Sequence, residues 1–362
     1  MSGSATHKRH RGRLKLHRHG WLAIDKPSGW TSAQVVGRVR YLTCACKAGH
    51  GGTLDPLATG VLPIALGEAT KTVSFVMEGL KSYRFTIRWG ERRDTDDSDG
   101  RIIAVSDRRP TSEAIQGALP FFTGNIMQKP PRYSAVKVRG RRAYALARAD
   151  QEVELAPRPI LIERLKLIKV LGADYSLFEL ECGKGGYVRA LARDLAVKLG
   201  TEGHISELRR TRVGPFTLEN AISLAELGRL NDSAALTERL LPLIKGLAGV
   251  PNLCVNAEQV ERLQKGQTVS LLRAPVCDDG VRIEAPAVLC AVFGARPVAL
   301  VDFQAGQIRP KRVFNFSTLS GSGGKEAEAK ICRFLVSEKL SYLKNLRKGP
   351  TIRDRQKCRW PC

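Results

Sequence analysis

The chain has 362 residues and carries 59 Lys and Arg against 35 Asp and Glu, a net charge of +24. This length suits roughly two domains with sizeable cores, and the charge favours a polyanionic partner. No apolar run approaches the roughly 20 residues that span a bilayer, and the N-terminus lacks the apolar core of a secretory signal. We therefore expect a cytoplasmic protein with no membrane partner.

Both ends of the chain are strongly basic. Residues 1–20 carry six Lys or Arg, four His and no acid, which predicts a disordered arm. Residues 317–362 carry eleven Lys or Arg against four acids and begin with a Ser/Gly-rich stretch typical of a linker. A basic surplus of about 11 remains between these ends, which favours a folded RNA or DNA binder over a neutral protein with basic tails.

From Trp21 the pattern predicts a mixed α/β body that ends near residue 248. A short strand from Trp21 ends in a Pro-Ser-Gly turn, and Thr31 or Ser32 caps the helix that follows. Alternating apolar residues, or apolar residues at helical spacing, predict the next elements: strands at 61–66, 81–89 and 175–182, and helices around 144–147 and 187–199.

The pattern of predicted elements changes from about Pro251. Three short strand-like runs, 287–293, 297–303 and 308–314, are separated by Gly and Pro turns. They predict a small β-rich second domain over 251–316, followed by the basic tail at 317–362.

The most informative stretch is the loop at 49–60, Gly-His-Gly-Gly-Thr-Leu-Asp-Pro-Leu-Ala-Thr-Gly. Its glycines permit sharp bends, and Pro56 biases Asp55 toward extended backbone angles. No Lys or Arg lies between Lys47 and Lys71 to neutralise Asp55 locally. A carboxylate among small and apolar residues needs a distant partner, hydration or a chemical role. A surface turn with a solvated Asp fits the composition equally well.

Several familiar site types do not fit. There is no phosphate-binding P-loop motif, and the nine cysteines and the histidines lack zinc-site spacing, so we expect reduced thiols and no metal. The acidic turn Asp94–Asp99 could hold Mg²⁺ as in a nuclease, although such turns are more often solvated. One carboxylate with aromatic, arginine and basic surface residues suits metal-free attack at a sugar carbon, after a base has been flipped out of a structured nucleic acid.

The loop resembles the catalytic signature of the TruB pseudouridine synthases. The similarity continues through Val61-Leu62-Pro63 and Gly67–Lys71. Five further stretches match in the same order: Asp25–Ser32, Tyr83-Arg84, Asp94–Asp97 with Gly100, Tyr133–Lys137, and Gly183–Arg189 with Leu208–Thr211. The resemblance covers about Trp21 to Phe316 and has no counterpart for 317–362.

The resemblance implies an enzyme of the bacterial type that converts the T-loop uridine of tRNA to pseudouridine without a cofactor. The implied fold is α+β: a mixed, mainly antiparallel β-sheet flanked by helices over 21–248, and a PUA-like RNA-binding domain over 251–316. Residues 130–150 would belong to an RNA-gripping insertion. The expected partner is the tRNA T-arm, with a monomeric protein and no guide RNA or obligate protein partner. A tRNA-folding chaperone that acts through the basic surface is the alternative from another class.

The resemblance also implies roles for single residues. Asp55 would be the nucleophile at C1′ of the ribose, or would promote a glycal intermediate. Tyr83 would stack on the flipped uracil and is a candidate for moving the C5 proton. Arg189 would pair with Asp55 and keep it ionised. The remaining implied residues are His50, which would fill the space left by the base; Leu208, which would line the uracil pocket; Asp97, which would assist flipping; and Lys26 and Pro27, which would be structural residues near the site.

Overall fold

The computed structural model describes residues 16–316 except 139, 150, 152–153, 231–232, 272–274 and 277–281. The predicted tail at 317–362 and most of the predicted arm lie outside these residues. The strands are β1 (Gly20–Lys26), β2 (Ala48–His50), β3 (Thr59–Leu66), β4 (Lys81–Trp89), β5 (Glu91–Arg93), β6 (Ile102–Val105), β7 (Gly124–Gln128), β8 (Lys137–Val138), β9 (Arg141–Arg142), β10 (Arg158–Val170), β11 (Tyr175–Cys182), β12 (Gly203–Val213), β13 (Phe216–Thr217), β14 (Ala221–Ser223), β15 (Asn252–Cys254), β16 (Val269–Ser270), β17 (Ala287–Phe293), β18 (Arg296–Gln304) and β19 (Gln307–Val313).

The α-helices are α1 (Ser32–Thr43), α2 (Val73–Glu78), α3 (Ser112–Ala118), α4 (Ala143–Arg148), α5 (Val188–Lys198), α6 (Leu224–Arg229), α7 (Ser233–Arg239) and α8 (Ala257–Gln264). Short 3₁₀ segments cover Gly67–Thr72, Leu119–Phe122, Leu218–Asn220 and Leu243–Leu247. Within the described residues, no helix is long and apolar enough to cross a membrane.

The main sheet has the strand order β14-β1-β3-β12-β4-β11-β10-β7, with β2 added to β3 and β13 to β12. The pairs β1–β14 and β3–β12 are parallel, and the other neighbours are antiparallel. A second sheet of order β15-β17-β18-β19-β16 forms a β-rich C-terminal domain. The predicted α+β fold, with a mixed, mainly antiparallel sheet and helices, is thereby confirmed.

The main sheet has a core on each face. Alternate residues of β1 enter different cores: Leu22 and Ile24 pack with α1 and α5 residues, whereas Trp21 and Ala23 pack with residues of the C-terminal domain. This division follows from the strand period of two. The side with α1 and α5 also carries the candidate site.

The two helices beside the site begin and end for local reasons. Thr31 caps α1: its hydroxyl accepts from the Gln34 backbone N, and the Gln34 side chain accepts from the Thr31 backbone N, which forms a capping box. Cys44 ends α1 in the left-handed conformation, with φ 52°. In α5, Leu191 and Leu195 form the buried stripe that the helical spacing predicts.

Residues 16–20 differ from the predicted disordered arm. The backbone N of Leu16 donates to Cys44 O at 2.8 Å, and the ring of His19 meets Phe316 edge-on, with 5.4 Å between centroids. His19 Nδ1 also accepts from the Glu68 backbone N at 3.1 Å. These long-range partners order the end of the arm, and charge composition alone does not reveal them.

Polar contacts connect the C-terminal domain to the main sheet. Lys71 Nζ donates to Val313 O at 2.8 Å, and the Asn315 backbone N donates to Glu68 Oε2 at 2.7 Å. The shared apolar core reinforces this connection.

Phe178 offers a test of the core on the α5 side. Its side chain is completely buried and stacks on Phe85, with ring centroids 5.3 Å apart. Because truncation leaves a cavity, Phe178→Ala should lower the free energy of unfolding by about 3–5 kcal/mol. Guanidinium denaturation followed by circular dichroism measures the change. The half-exposed Phe293→Ala is the control, and equal losses in both variants would contradict the assignment.

Candidate active site

Asp55 lies in the loop between β2 and β3, and a close backbone approach fixes the end of this loop. Gly60 has φ 102°, which disfavours other residues. A Cβ atom there would collide with the backbone oxygen of Arg210, because β3 and β12 pair in parallel at these two residues. A glycine is therefore required at position 60 for β3 and β12 to pair beside the loop.

Lys26 holds the loop from beneath. Its side chain is fully buried, and Nζ donates to the backbone oxygens of Pro27, Trp30 and Pro56 at 2.9, 2.8 and 3.0 Å. Burial lowers the pKa of Lys26 to about 8, although the negative charge of Asp55 opposes this shift. The buried Lys26 thus contacts the Asp55 loop from the protein interior, and the adjacent Pro27 is exposed.

Arg210 is the main site residue that sequence reasoning missed. It is only 1% exposed, and it donates to three backbone oxygens: Nε to Val61 at 2.9 Å, Nη1 to Thr53 at 3.0 Å and Nη2 to Gly52 at 3.1 Å. Arg210 falls in a stretch that resembles the family, but a strand pattern shows which face a side chain occupies and not which carbonyl groups it reaches.

Ser32 was also missed. Its Oγ donates to Leu54 O at 3.0 Å and accepts from Leu54 N at 2.9 Å. Both backbone polar groups of the residue before Asp55 are therefore satisfied by one buried hydroxyl. A buried loop needs such partners, and these contacts hold the main chain at the residue next to Asp55.

Arg189 is the partner that the loop itself lacks. Its side chain is 6% exposed, and Nε lies 2.8 Å from Asp55 Oδ2. Its other two nitrogens donate to backbone oxygens of distant segments, Nη1 to Thr95 at 2.8 Å and Nη2 to Tyr133 at 2.9 Å. Asp55 keeps 35% of its side chain exposed. The pair thus consists of a buried cation and a carboxylate that a substrate can reach.

Asp97 is a second carboxyl group beside Arg189, with Oδ2 3.5 Å from the same Nε that contacts Asp55. Burial disfavours the charge on Arg189, but Asp55 and Asp97 outweigh burial and raise its pKa above the ordinary value. Burial raises the pKa of Asp97, opposed first by the Thr95 hydroxyl, which donates to Oδ1 at 2.6 Å. The guanidinium is therefore permanently charged and bordered by two carboxyl groups.

Tyr83 and Leu208 lie on the same face of neighbouring strands. Tyr83 pairs with Arg210 and Leu208 with Phe85 across β4 and β12, so the two side chains are diagonal neighbours. Burial raises the pKa of Tyr83 to about 12, opposed by the positive charge of Arg210. At neutral pH this residue is a protonated phenol.

His50 contacts the loop before Asp55. It is half-buried at the end of β2, and its Nδ1 accepts from the Gly52 backbone N at 3.4 Å. The structure therefore joins Asp55, Arg189 and Asp97 by direct contacts, places Tyr83 and Leu208 on the sheet beside them, and attaches His50 to the same loop.

Two carboxyl groups of the acidic turn, those of Asp96 and Asp97, are engaged by arginines. Asp96 pairs with Arg193 at 3.0 Å, and Asp97 borders Arg189. Across the described parts of the chain, no three His, Cys, Asp or Glu residues gather in a way that could hold a metal ion. These contacts give the turn a role in supporting Arg189 and Arg193.

Known proteins match both the sequence and the fold. The family model described as TruB family pseudouridylate synthase (N terminal domain) matches residues 40–188, and the one described as tRNA pseudouridylate synthase B C-terminal domain matches residues 189–248. The tRNA pseudouridine synthase B of Bradyrhizobium diazoefficiens is 52% identical, covering 85% of this chain and 89% of that protein. The protein of the same name from Rhodospirillum rubrum is also 52% identical, over 82% and 96%.

Solved structures share the fold. A Cbf5-Nop10-Gar1 complex contains a chain with 25% identity and a TM-score of 0.63, covering 82% of this chain and 85% of that one. An H/ACA RNP bound to a substrate RNA containing 2′-deoxyuridine gives 22% identity and a TM-score of 0.63, over 82% and 86%.

The lowered pKa of Lys26 predicts that the free energy of unfolding depends on pH. Its folded pKa of about 8 lies below the ordinary value of 10.5, so between these values the unfolded chain binds more protons than the folded one. The contribution of Lys26 to the free energy of unfolding therefore rises as pH rises from about 8 to 10.5. Lys26→Met lacks this gain and also leaves three carbonyl groups without their donor.

The measurement is guanidinium denaturation of wild type and Lys26→Met at several pH values from 7 to 10. Wild type should be more stable throughout, and the difference should widen above about pH 8. The similarly shifted Lys81 is present in both proteins, so its effect cancels in the difference. A constant difference across this range would contradict the assignment.

Proposed function

The chain belongs to the TruB family of pseudouridylate synthases, and from that premise we propose that it isomerises the T-loop uridine of tRNA, at position 55, to pseudouridine. The observation that carries the proposal is the half-exposed Asp55 carboxylate held by the buried Arg189 guanidinium at 2.8 Å. A carboxylate that is both oriented and reachable suits chemistry at an anomeric carbon.

The reaction gains and loses no atoms overall. The bond between uracil N1 and ribose C1′ breaks, the base turns, C5 bonds to C1′, and the proton on C5 leaves while N1 acquires one. Asp55 either attacks C1′ to form a covalent intermediate or removes the 2′ hydrogen to give a glycal. Arg189 donates to this carboxylate at 2.8 Å and would hold it in position in either route.

Tyr83 is proposed to stack on the flipped uracil. A phenol with a pKa of about 12 stays protonated at neutral pH, which favours stacking over direct removal of the C5 proton as a base. Leu208, a diagonal neighbour of Tyr83 on the sheet, would line the same pocket. These positions support an apolar site for the base.

His50 and Asp97 are proposed to act during base flipping. His50 lies half-buried at the start of the loop, which suits a side chain that fills the space left by the base. Asp97 lies 3.5 Å from Arg189, so a movement of this carboxyl group would shift the guanidinium that binds Asp55.

Other parts of the chain are proposed to grip the tRNA T-arm. Residues 130–150 would form an insertion that contacts RNA, and 251–316 a PUA-like RNA-binding domain. The relatives are named as tRNA pseudouridine synthases, which supports tRNA as the substrate. We propose in addition that the chain acts as a monomer, without guide RNA, cofactor or obligate protein partner.

Tritium release from C5-labelled uridine in an unmodified tRNA transcript tests the proposed reaction. Wild type should release tritium with EDTA present, and Asp55→Asn should lose at least about 1,000-fold in rate because the amide cannot act as nucleophile or base. The affinity for the transcript should stay within about threefold of wild type, since Asp55 is only a small part of the surface that binds RNA.

Asp25→Asn is the matched control, because Asp25 is also a partly exposed carboxylate paired with an arginine, Arg209 at 2.7 Å. This variant should keep most of the rate. Full release by Asp55→Asn would refute the proposal.

A further inference from the structure

The outer face of α1 is aromatic and begins beside the loop that carries Asp55. Trp30 is 38% exposed just before the helix, and Tyr41 is 58% exposed near its end. Gln34, Gly37 and Tyr41 are three and four residues apart and therefore share one face. We call this surface the α1 strip, and it consists of Trp30, Gln34, Gly37, Arg38 and Tyr41.

The start of the strip is fixed against the active-site loop. The Lys26 ammonium donates to the backbone oxygens of both Trp30 and Pro56, at 2.8 and 3.0 Å, and Gly29 N donates to Pro56 O at 2.9 Å. Since Pro56 follows Asp55 directly, the backbone of Trp30 lies at the rim of the site. Its side chain is nevertheless left partly open to solvent, although it is a large apolar group.

The charge around the strip suits a polyanion. From Lys26 to Leu54 the sequence contains no Asp or Glu. Arg38 and Arg40 are exposed on α1, and the Arg38 guanidinium lies 5.6 Å from the centroid of the Tyr41 ring. Aromatic rings interleaved with arginine, in a sequence segment without acids, form the kind of surface that single-stranded nucleic acid uses for stacking and phosphate contacts.

The shape of the strip also suits an RNA strand. Apart from the helix's own backbone and the neighbours of Gly37 in the chain, no atom lies within 4 Å of the position that a Cβ on Gly37 would take, so the middle of the strip is open. Gln34 and Tyr41 are seven residues apart on α1, roughly 10 Å along the helix. That length matches about three stacked nucleotides at 3.4 Å each.

We propose that the α1 strip binds unpaired nucleotides that flank the flipped uridine. Trp30 would stack on the nearest base, and Arg38 of the strip and the neighbouring exposed Arg40 would face phosphates. The inference rests on the proposed function, because it adds a contact to the same RNA substrate. Trp30 is thus assigned as a substrate-binding residue beyond those that the family resemblance implies.

Tryptophan fluorescence tests the stacking contact. In the Asp55→Asn background, which prevents turnover, titration with a T-arm stem-loop RNA should quench the emission. Trp21 and Trp89 are buried, and Trp360, which lies outside the described residues, is replaced by Phe in every protein compared. The quenching should therefore largely disappear in Trp30→Phe, while affinity stays within about threefold because phenylalanine also stacks. Trp30→Ala should weaken binding about tenfold or more. Thermal melting checks that each variant is folded.

The salt dependence of binding tests the phosphate contacts. Replacing Arg38 and Arg40 by Gln should reduce the slope of log affinity against log salt by about one to two. The matched control is Phe121→Ala with Lys198→Gln, because Lys198 lies over the exposed Phe121 ring at 4.1 Å. This second aromatic–cation pair is at the opposite end of α5 from Arg189, and its loss should leave affinity and slope unchanged.

The outcomes separate this inference from the proposed reaction. Suppose that wild type releases tritium, but that Trp30→Ala and the arginine variants bind RNA as tightly as the parent, with an unchanged salt slope. The proposed RNA-binding role of the α1 strip is then refuted, and the proposed reaction stands. If binding depends on Trp30 but wild type releases no tritium, the strip is supported and the reaction is overturned.

Discussion

The site depends on one buried guanidinium. Arg189 binds Asp55, Thr95 O and Tyr133 O, which lie 134, 94 and 56 residues away in the sequence. A buried charge without partners costs several kcal/mol, so this side chain is stable there only when all three segments have reached it. The carboxylate, the acidic turn and the segment at 131–136 are therefore assembled as a unit by the helix that carries Arg189.

The loop around Asp55 is held mainly through its backbone. Lys26, Arg210 and Ser32 reach the carbonyl groups of residues 52, 53, 54 and 56. Because these donors grip the main chain, the loop can keep one shape while the carboxylate itself stays 35% exposed. Such preorganisation places a reactive group without a reorganisation cost during the reaction. The same arrangement thus leaves Asp55 partly exposed and buries the three residues that hold its loop.

Much of this arrangement follows from local patterns in the sequence. Alternation predicted β4 and β11, capping predicted α1, and the three long strands of the C-terminal domain were located within one or two residues. Arg210 and Ser32 were missed because their partners are backbone oxygens in a distant loop, and local spacing contains no information about such contacts. The order of residues 16–20 was missed for the same reason, since His19 is held by Glu68 and Phe316.

Hydrogen exchange followed by mass spectrometry, on wild type and Arg189→Lys, tests the assembling role of Arg189 most directly. Lysine keeps the charge, but its donors all lie on one nitrogen and it lacks the planar fork with which Arg189 reaches three separate segments. Exchange should therefore accelerate together in peptides covering 51–58, 93–99 and 131–136. Arg193→Lys is the comparison, because Arg193 reaches Asp96 and Lys129 O but not the Asp55 loop, and 51–58 should then exchange as in wild type. Unchanged exchange at 51–58 in Arg189→Lys would contradict the account.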